Sequence, residues 1–401
     1  MNYKLSEILT LIGGGTPRTS NLQFWGGDIP WLSVVDFNND NRYVSITEKF
    51  ITQAGVENSS TKVLPKRALI LSARGTVGAL AQLSKPMAFN QSCYGIVAKE
   101  CTTNDFLYYL LKNIVHDLQA KGHGSVFNTI TRDTFDTIEI ELPPLDEQKR
   151  IAEFLGMFDD KIELLQKQNK TLEEMAKATF KSWFVDFDVV KAKQRGDVKA
   201  DVMREYRLTE ELYDLFPSSF EASSLGFIPS GWEVKSLSDI SSVSSGKRPP
   251  NKQDYKSSNY SIPVYGGNGI KWWTTHSLYS QPIIITGRVG TLGELYRIYE
   301  PVWVSDNALI FETKVQNFEF LFYFLKNIDF NSLNRGSTQP LITQTDVKKI
   351  SVIYSENIVS CYHDITKQYE DKILINTKQI QTLTELRDSL LPRLISGKIR
   401  M

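Results

Sequence analysis

Apolar positions change their spacing along this chain, and the changes come twice in the same order. Over residues 1–143, short apolar runs alternate with turns rich in Gly, Pro and Asn, which predicts strands at 29–37, 68–72, 93–99 and 135–142. One amphipathic helix interrupts them. Phe106, Leu107, Leu110, Leu111, Ile114, Val115 and Leu118 fall at helical spacing, Thr103 or Asn104 can cap the start, and Gly122 can end it. From Asp146 to about Val185 the pattern becomes a sustained spacing of three and four, with Gly156 the only glycine and no proline, which predicts one long helix. Pro144 suits its first turn, and Asp146 and Glu147 suit the positive end of its dipole. The succession then returns, with strands at 262–265, 282–286, 302–311 and 349–354 around a helix at about 318–328. A second long helix follows from about 357 to 391, stopped by Pro392.

The recurrence is a tandem duplication. Asp105 to Asn113 reads DFLYYLLKN and Glu319 to Asn327 reads EFLFYFLKN, with six positions of nine identical at a separation of 214 residues. Residues 71–78, with Arg74 and Gly75 in a glycine-rich turn, answer residues 285–293, with Arg288; Asp160-Lys161-Ile162 answers Asp371-Lys372-Ile373. Two domain-sized copies differ from a solenoid, whose period is shorter and recurs many times. The predicted fold class is therefore α/β (α+β) in tandem duplication, with two globular domains separated by a long antiparallel two-helix coiled coil. Domain 1 covers 1–143, the first helix 144–185, a charged connector with one short helix near 212–217 covers 186–225, domain 2 covers 226–355, and the second helix with its tail 356–401.

Composition narrows the class. The chain has 401 residues, 41% hydrophobic and 23% charged, the balance of an ordinary globular protein of two or three domains. Its 46 basic and 46 acidic residues cancel, so the total charge lends no support to nucleic-acid binding; only the second globular part, at 226–353, leans basic by about three charges. Three cysteines without C-x-x-C spacing and four scattered histidines argue against disulfides and structural zinc, and no metal site is expected. Lys4 and Glu7 break any apolar run before Gly13, and no run of about 18 apolar residues occurs. A cytoplasmic protein without a membrane partner is expected.

Catalytic motifs are missing: there is no phosphate-binding G-x-x-x-x-G-K-[ST] loop, no H-E-x-x-H, no G-x-S-x-G, and the Pro-Pro pairs at 143–144 and 249–250 lack the context of a DNA methyltransferase. No catalytic residue is assigned. The loops instead carry the chemistry of polar readers. Arg74-Gly75 and Arg288 stand in the duplicated turn, whose structural explanation is a hairpin needing glycine and whose functional one is backbone and guanidinium contact with phosphate or a guanine edge. The loop 13–19, with Thr16 and Arg18, corresponds in place to 245–249, with Lys247 and Arg248; the loop 121–125, with His123 and Ser125, corresponds to 334–339, with Arg335, Ser337, Thr338 and Gln339; Asn268 and Lys271 flank a loop beside Trp272 and Trp273; Asn90, Gln91 and Asn307 complete the candidate set. For the two tryptophans, core packing is at least as good an explanation.

Several segments together resemble the specificity subunits of type I restriction-modification systems: 142–152, LPPLDEQKRIA, leading into the long helix; Ser182 to Asp188, SWFVDFD; 214–217, DLFP; 225–232, LGFIPSGW; and 390–398, LLPRLISGK. The resemblance covers the whole chain. It implies two target-recognition domains, each reading one half of a split duplex-DNA site, and helices that act as a spacer and dock two modification subunits. Restriction/translocase subunits would join through the complex, and S-adenosylmethionine, ATP and Mg would belong to those partners, with no cofactor on this chain. A coiled-coil scaffold whose end domains bind proteins or glycans is the alternative.

The helices carry an internal argument for direction. Leu155, Ile162, Leu165, Asn169 and Leu172 line one seam, and Ile373, Asn376, Ile380, Leu383 and Leu390 the other. A parallel pairing leaves Asn169 and Asn376 each facing an aliphatic residue, whereas an antiparallel one sets them opposite each other, with Leu165 against Ile380, Ile162 against Leu383 and Leu155 against Leu390. Phe154, Phe180, Trp183 and Phe184 in the first helix and Leu391 and Ile395 in the second lie off this seam, and are expected to receive partner subunits.

Overall fold

The computed structural model describes residues 2–120, 129–290, 292–314, 317–336 and 338–400. It divides into two compact units, residues 1–168 with 375–401 and residues 169–374, so each unit holds one globular domain and a part of each long helix. In unit 1 a five-stranded sheet runs in the order Leu9–Gly13, Cys93–Ala98, Leu69–Ser72, Leu80–Leu83, Tyr43–Val44, and a three-stranded sheet runs Lys49–Ile51, Trp25–Leu32, Ala88–Phe89. The helix Asn104–Ala120 covers the larger sheet; Thr103 Oγ1 accepts the Phe106 N–H at 3.2 Å and caps it, while Asn104 Oδ1 instead accepts from Ala98 N. Gly122 lies outside the described residues. Phe106, Leu107, Leu110 and Leu111 bury themselves in one core with Leu69, Leu71, Ile96, Leu155, Leu391 and Leu394.

Unit 2 repeats this plan with one strand fewer among the described residues. Its sheets run Ser241–Ser245, Ala308–Thr313, Ile283–Gly287, Leu295–Ile298 and Gly269–Thr274, Ile262–Gly266, Trp303–Val304, and nothing answers the strand Tyr43–Val44. The duplicated helix spans Phe318–Lys326. Three strand expectations need correction. The run 29–37 is strand only as far as Leu32, and Val34–Asp36 forms a 3-10 helix. Phe135 belongs to a short helix, Arg132–Asp136, ahead of the strand Glu139–Glu141, and the run 302–311 is broken into two strands at Ser305-Asp306-Asn307. The connector is also more than a charged linker. It folds into the helices Asp188–Arg195, Lys199–Tyr206 and Glu210–Leu215 and the hairpin Phe220–Ser223/Gly226–Pro229, whose Val189, Val190, Val202, Leu212 and Phe216 are buried. Its charges lie on the outer faces of short amphipathic helices, which is why composition alone read as solvation.

The long helices span Leu145–Phe184 and Glu356–Ile395. The second passes through Pro392 instead of stopping there, and ends one turn later where Gly397 takes φ +68° and its N–H donates to Leu394 O. A proline removes one N–H and strains the preceding turn, but burial of Leu391 and Leu394 beside it holds the helix together. The strand direction of the pair is antiparallel within each unit. In unit 1, Asp159 pairs with Arg387 at 2.6 Å, one residue from the partner Leu386 that the predicted register implies; in unit 2, Tyr362 donates to Ala176 O at 3.0 Å, seven residues from the partner Tyr369 that the same register implies. Leu155, Ile162, Leu165, Ile373 and Asn376 are buried; Asn169, Leu172, Ile380, Leu383 and Leu390 are half-buried. Asn376 belongs to unit 1 and Asn169 to unit 2.

The partner-docking expectation fails at four positions. Phe180, Trp183 and Phe184 are buried in the core of unit 2, where Phe180 meets the rings of Phe184, Phe320, Tyr323 and Tyr362 at 5.3–6.4 Å, and Leu391 is buried in the core of unit 1. The apolar surplus on these helices covers the chain's own domains, with Phe154 and Ile395 half-buried against unit 1. Phe180→Ala is accordingly expected to cost the free chain about 3–5 kcal/mol in urea unfolding. Unchanged stability of the free chain would place the residue on a partner surface after all.

Candidate nucleic-acid interface

In unit 1 the glycine-rich turn joins Leu69–Ser72 to Leu80–Leu83. Gly75 and Gly78 take φ +76° and +95°, a region that costs a residue with a Cβ, and Ser72 Oγ closes the turn by accepting from Ala79 N at 2.9 Å. Arg74 stands exposed on it. The N–H groups of Ala73 and Arg74 both donate to Ser92 O, and Ser92 N donates to Asn90 Oδ1, which binds the turn to the loop 90–92. A third loop closes on the same place: Gly15 N donates to Phe89 O at 3.0 Å and Thr16 donates to Gln91 Oε1. The approach needs glycine, since a Cβ on Gly14 would stand 2.1 Å from Asn90 O and one on Gly15 2.4 Å from Thr61 N. Thr16, Arg74, Gly75, Asn90 and Gln91 are thereby gathered on one surface. Arg18 is exposed nearby in the chain; His123 and Ser125 lie outside the described residues.

Unit 2 builds the same trio of loops from other side chains. Lys247 N donates to Val304 O at 2.9 Å, and Gly246 is the tight position, where a Cβ would stand 2.2 Å from Ser305 O. Arg248 pairs with Asp306 at 3.1 Å where unit 1 has the Thr16–Gln91 bond. An indole N–H anchors the loop in both units, from Trp31 to Gly15 O at 3.0 Å and from Trp303 to Lys247 O at 2.7 Å. Those two tryptophans sit on opposite members of the parallel strand pair, in the pairs Trp31/Ala88 and Val264/Trp303, so one contact is kept from two sequence positions. A polar cleft of about 360 Å³ opens beside these loops and collects Asn268, Lys271, Asn307 and Gln339 with Ser305 and Val289.

Arg288 departs from its duplicate. Its guanidinium is half-buried and donates to Ser245 Oγ at 3.4 Å, where Gln344 also donates, while Arg74 stays exposed. Arg335 is held by Asp346 at 2.6 Å, Thr338 is exposed, and Ser337 lies outside the described residues. Trp272 and Trp273 are half-exposed and carry lysines on their faces: Lys252 at 3.6 Å and Lys271 at 4.8 Å over Trp272, Lys256 at 5.4 Å over Trp273. Ser245, Ser305, Lys252 and Lys256 escaped the sequence reading; the lysines were legible only as neighbours of an aromatic pair that sits across a hairpin from them.

Buried charge lies apart from these loops. In unit 1, Arg42 donates to Asp105 at 2.7 Å, to Gln82 at 3.0 Å and to Tyr109 at 3.1 Å, and Tyr109 donates to Asp159, which pairs with Arg387. In unit 2, Arg297 pairs with Glu319 at 3.0 Å, with Glu370, and with Glu173 at 3.8 Å. Burial pushes the Glu370 carboxyl up to about 7, and Arg297 opposes that shift. Among the described residues no cluster of His, Cys, Asp or Glu is arranged to hold a metal ion, and no helix is long and apolar enough to cross a membrane.

The profile of the type I restriction modification DNA specificity domain matches twice, over residues 1–174 and 229–385, once for each copy. The chain belongs to the type I restriction modification DNA specificity domain family. It is 30% identical over 427 aligned residues to the type I restriction enzyme MjaIX specificity subunit of Methanocaldococcus jannaschii, covering 99% of this chain and 93% of that one. It is 29% identical to the type I restriction enzyme HindI specificity subunit of Haemophilus influenzae, over 70% of this chain and 73% of that one. The crystal structure of the type I restriction-modification system S subunit from M. genitalium shares the fold at TM-score 0.60 and 17% identity, over 98% and 95% of the two chains.

Because Gly246 faces backbone that cannot swing aside, Gly246→Ala is expected to cost about 1–3 kcal/mol in chemical unfolding. A variant as stable as the parent would mean that the loop is not clamped against Val304 and Ser305.

Proposed function

We propose that each globular domain reads one half of a bipartite duplex-DNA site through its loop trio, and that the chain itself carries out no reaction. Two modification subunits dock on it, restriction/translocase subunits join through the complex, and S-adenosylmethionine, ATP and Mg are held by those partners in the cytoplasm. The observation that carries the reading is the repetition of one loop scaffold with different polar side chains, Thr16 and Gln91 in one copy and Arg248 and Asp306 in the other. Amides match the adenine edge, and lysine and arginine match guanine or phosphate, so exchanging these side chains on a constant backbone changes the sequence read. The zero net charge fits a chain whose partners help to enclose the duplex.

Selecting bound duplexes from a random pool, with the modification partner present, is expected to return two unrelated half-sites at a fixed gap; a scaffold with protein- or glycan-binding end domains would return none. Lys271→Ala is expected to weaken binding to all sequences and to lower the salt slope by about 1, whereas Asn268→Ala relaxes one half-site by about 1–3 kcal/mol and leaves the other intact. Loss at both half-sites would contradict the division of labour.

The antiparallel helices are the spacer in this reading. Inserting one matched heptad in both adds about 10 Å at about 1.5 Å per residue. The gap between half-sites should then grow by about three base pairs at about 3.4 Å each, with the half-site sequences unchanged. An unchanged gap would reject the ruler.

A further inference from the structure

The buried arginines occupy one site in both copies although they come from different places in the chain. Asp105 and Glu319 are equivalent across the duplication, as are the ring pairs Tyr108/Phe322 and Tyr109/Tyr323, and Asp159 and Glu370 stand immediately before the duplicated Asp-Lys-Ile. Arg42 lies 5.6 Å from the Tyr108 ring and 5.1 Å from the Tyr109 ring; Arg297 lies 4.1 Å from Phe322 and 5.9 Å from Tyr323. Each guanidinium therefore rests on the same two rings and the same domain carboxylate. Each also reaches the same long-helix carboxylate, Arg42 through the Tyr109 hydroxyl and Arg297 directly. Arg42 adjoins Tyr43–Val44, the strand that unit 2 lacks among its described residues, and Arg297 comes from Leu295–Ile298, the edge strand left in its absence.

The helices are shaped for this contact. A Cβ on Gly156 would stand 2.8 Å from Arg42 Nη1, so the one glycine in the first long helix makes room for the guanidinium at a cost in helix propensity. Most of the charged side chains are buried, with Arg42 5%, Asp159 4% and Arg387 5% exposed in unit 1 and Arg297 9%, Glu319 3% and Glu370 7% in unit 2, while Asp105, which Arg67 also reaches, is 25% exposed. Apolar residues of equal volume would be as stabilising, so a site kept twice with its cation moved is better explained by orientation than by stability.

We propose that this guanidinium site positions each reading domain at a fixed angle on the long-helix segments of its own unit, and thereby makes the complex intolerant of a one-base-pair change in the gap between half-sites. The inference rests on the proposed DNA-reading function. Arg42, Tyr109, Asp159 and Arg387 are positioning residues and touch no base. A packed apolar seam allows a domain to rock and slide, whereas directional bonds from one guanidinium to a domain carboxylate and a helix-bound hydroxyl do not. Movement of about 3.4 Å at the reading loops is enough to accept the neighbouring gap.

The test uses the chain assembled with its modification subunits and duplexes that carry the selected half-sites at the native gap or one base pair longer or shorter. Asp159→Leu with Arg387→Met removes the pair without stranding a charge. The expected result is unchanged half-site preference with discrimination against the altered gaps reduced about tenfold. Tyr109→Phe, which removes only the linking hydroxyl, should move it in the same direction by less. Gap discrimination as sharp as the parent's in the folded double variant overturns the proposal, and if that variant does not fold, parental discrimination in Tyr109→Phe overturns it. A parent complex that selects no split site would instead refute the DNA-reading function, and this inference with it.

Discussion

A guanidinium held out of water on a domain carboxylate, and joined directly or through a tyrosine hydroxyl to a carboxylate of a long helix, is the contact on which each half of this protein turns. Removing such a charge from solvent costs several kcal/mol per ion, recovered only when its donors are satisfied, and here they are satisfied by groups on separate elements. Arg42 gathers a strand residue, a domain helix and, through Tyr109, the first long helix; Arg387 on the second long helix completes the set from the other side of Asp159. In unit 2, Arg297 joins its strand to Glu319 on the domain helix and to Glu370 on the second long helix. Burial works against the Arg387 charge, and the Asp159 and Asp388 carboxylates together more than offset it, so the cation stays charged at any ordinary pH. Breaking the set at one member leaves a buried charge without its counterion, which couples the domain to the long helices of its unit.

The fold was largely legible because its signals are periodic or repeated. The strands, the domain helices and both long helices follow from apolar spacing, and the duplicated DFLYYLLKN and EFLFYFLKN segments placed the two domains. What escaped is charge in the wrong place. Asp159, Glu370 and Arg387 fall on the helix seam, but a charged residue at helical spacing reads as solvated, and only a partner from a distant strand reverses that. The duplicated run Asp159-Asp160-Lys161-Ile162 and Glu370-Asp371-Lys372-Ile373 held the clue, since an acid kept just before a repeated motif is part of the motif. Phe180, Trp183 and Phe184 erred in the opposite sense. Their excess over a two-stranded seam was real, but the domain helix, the second long helix and the folded connector of unit 2 absorb it together, and nothing in the heptad pattern reveals a neighbour from elsewhere in the chain.

The reading loops were legible as chemistry and not as geometry. Glycine beside hydroxyl, amide and cationic groups singled out segments that the fold draws together, and Asn268, Lys271, Asn307 and Gln339 meet in one cleft. Equivalence in sequence did not carry the side chains with it: Arg74 is exposed while Arg288 turns inward to Ser245, and the tryptophan that anchors the first loop changes strands between copies. Backbone contacts such as Gly15 to Phe89 and Lys247 to Val304 are the constant part. A scaffold held by its backbone lets its outward side chains change without unfolding, the property a module needs when it must read different sequences on one fold.

A chemical footprint of the assembled complex on its own selected duplex tests the central claim most directly. Two protected tracts separated by an accessible gap are predicted, as expected when each domain covers one half-site and the helices span between them. A single continuous tract, or protection confined to one half-site, would contradict the account.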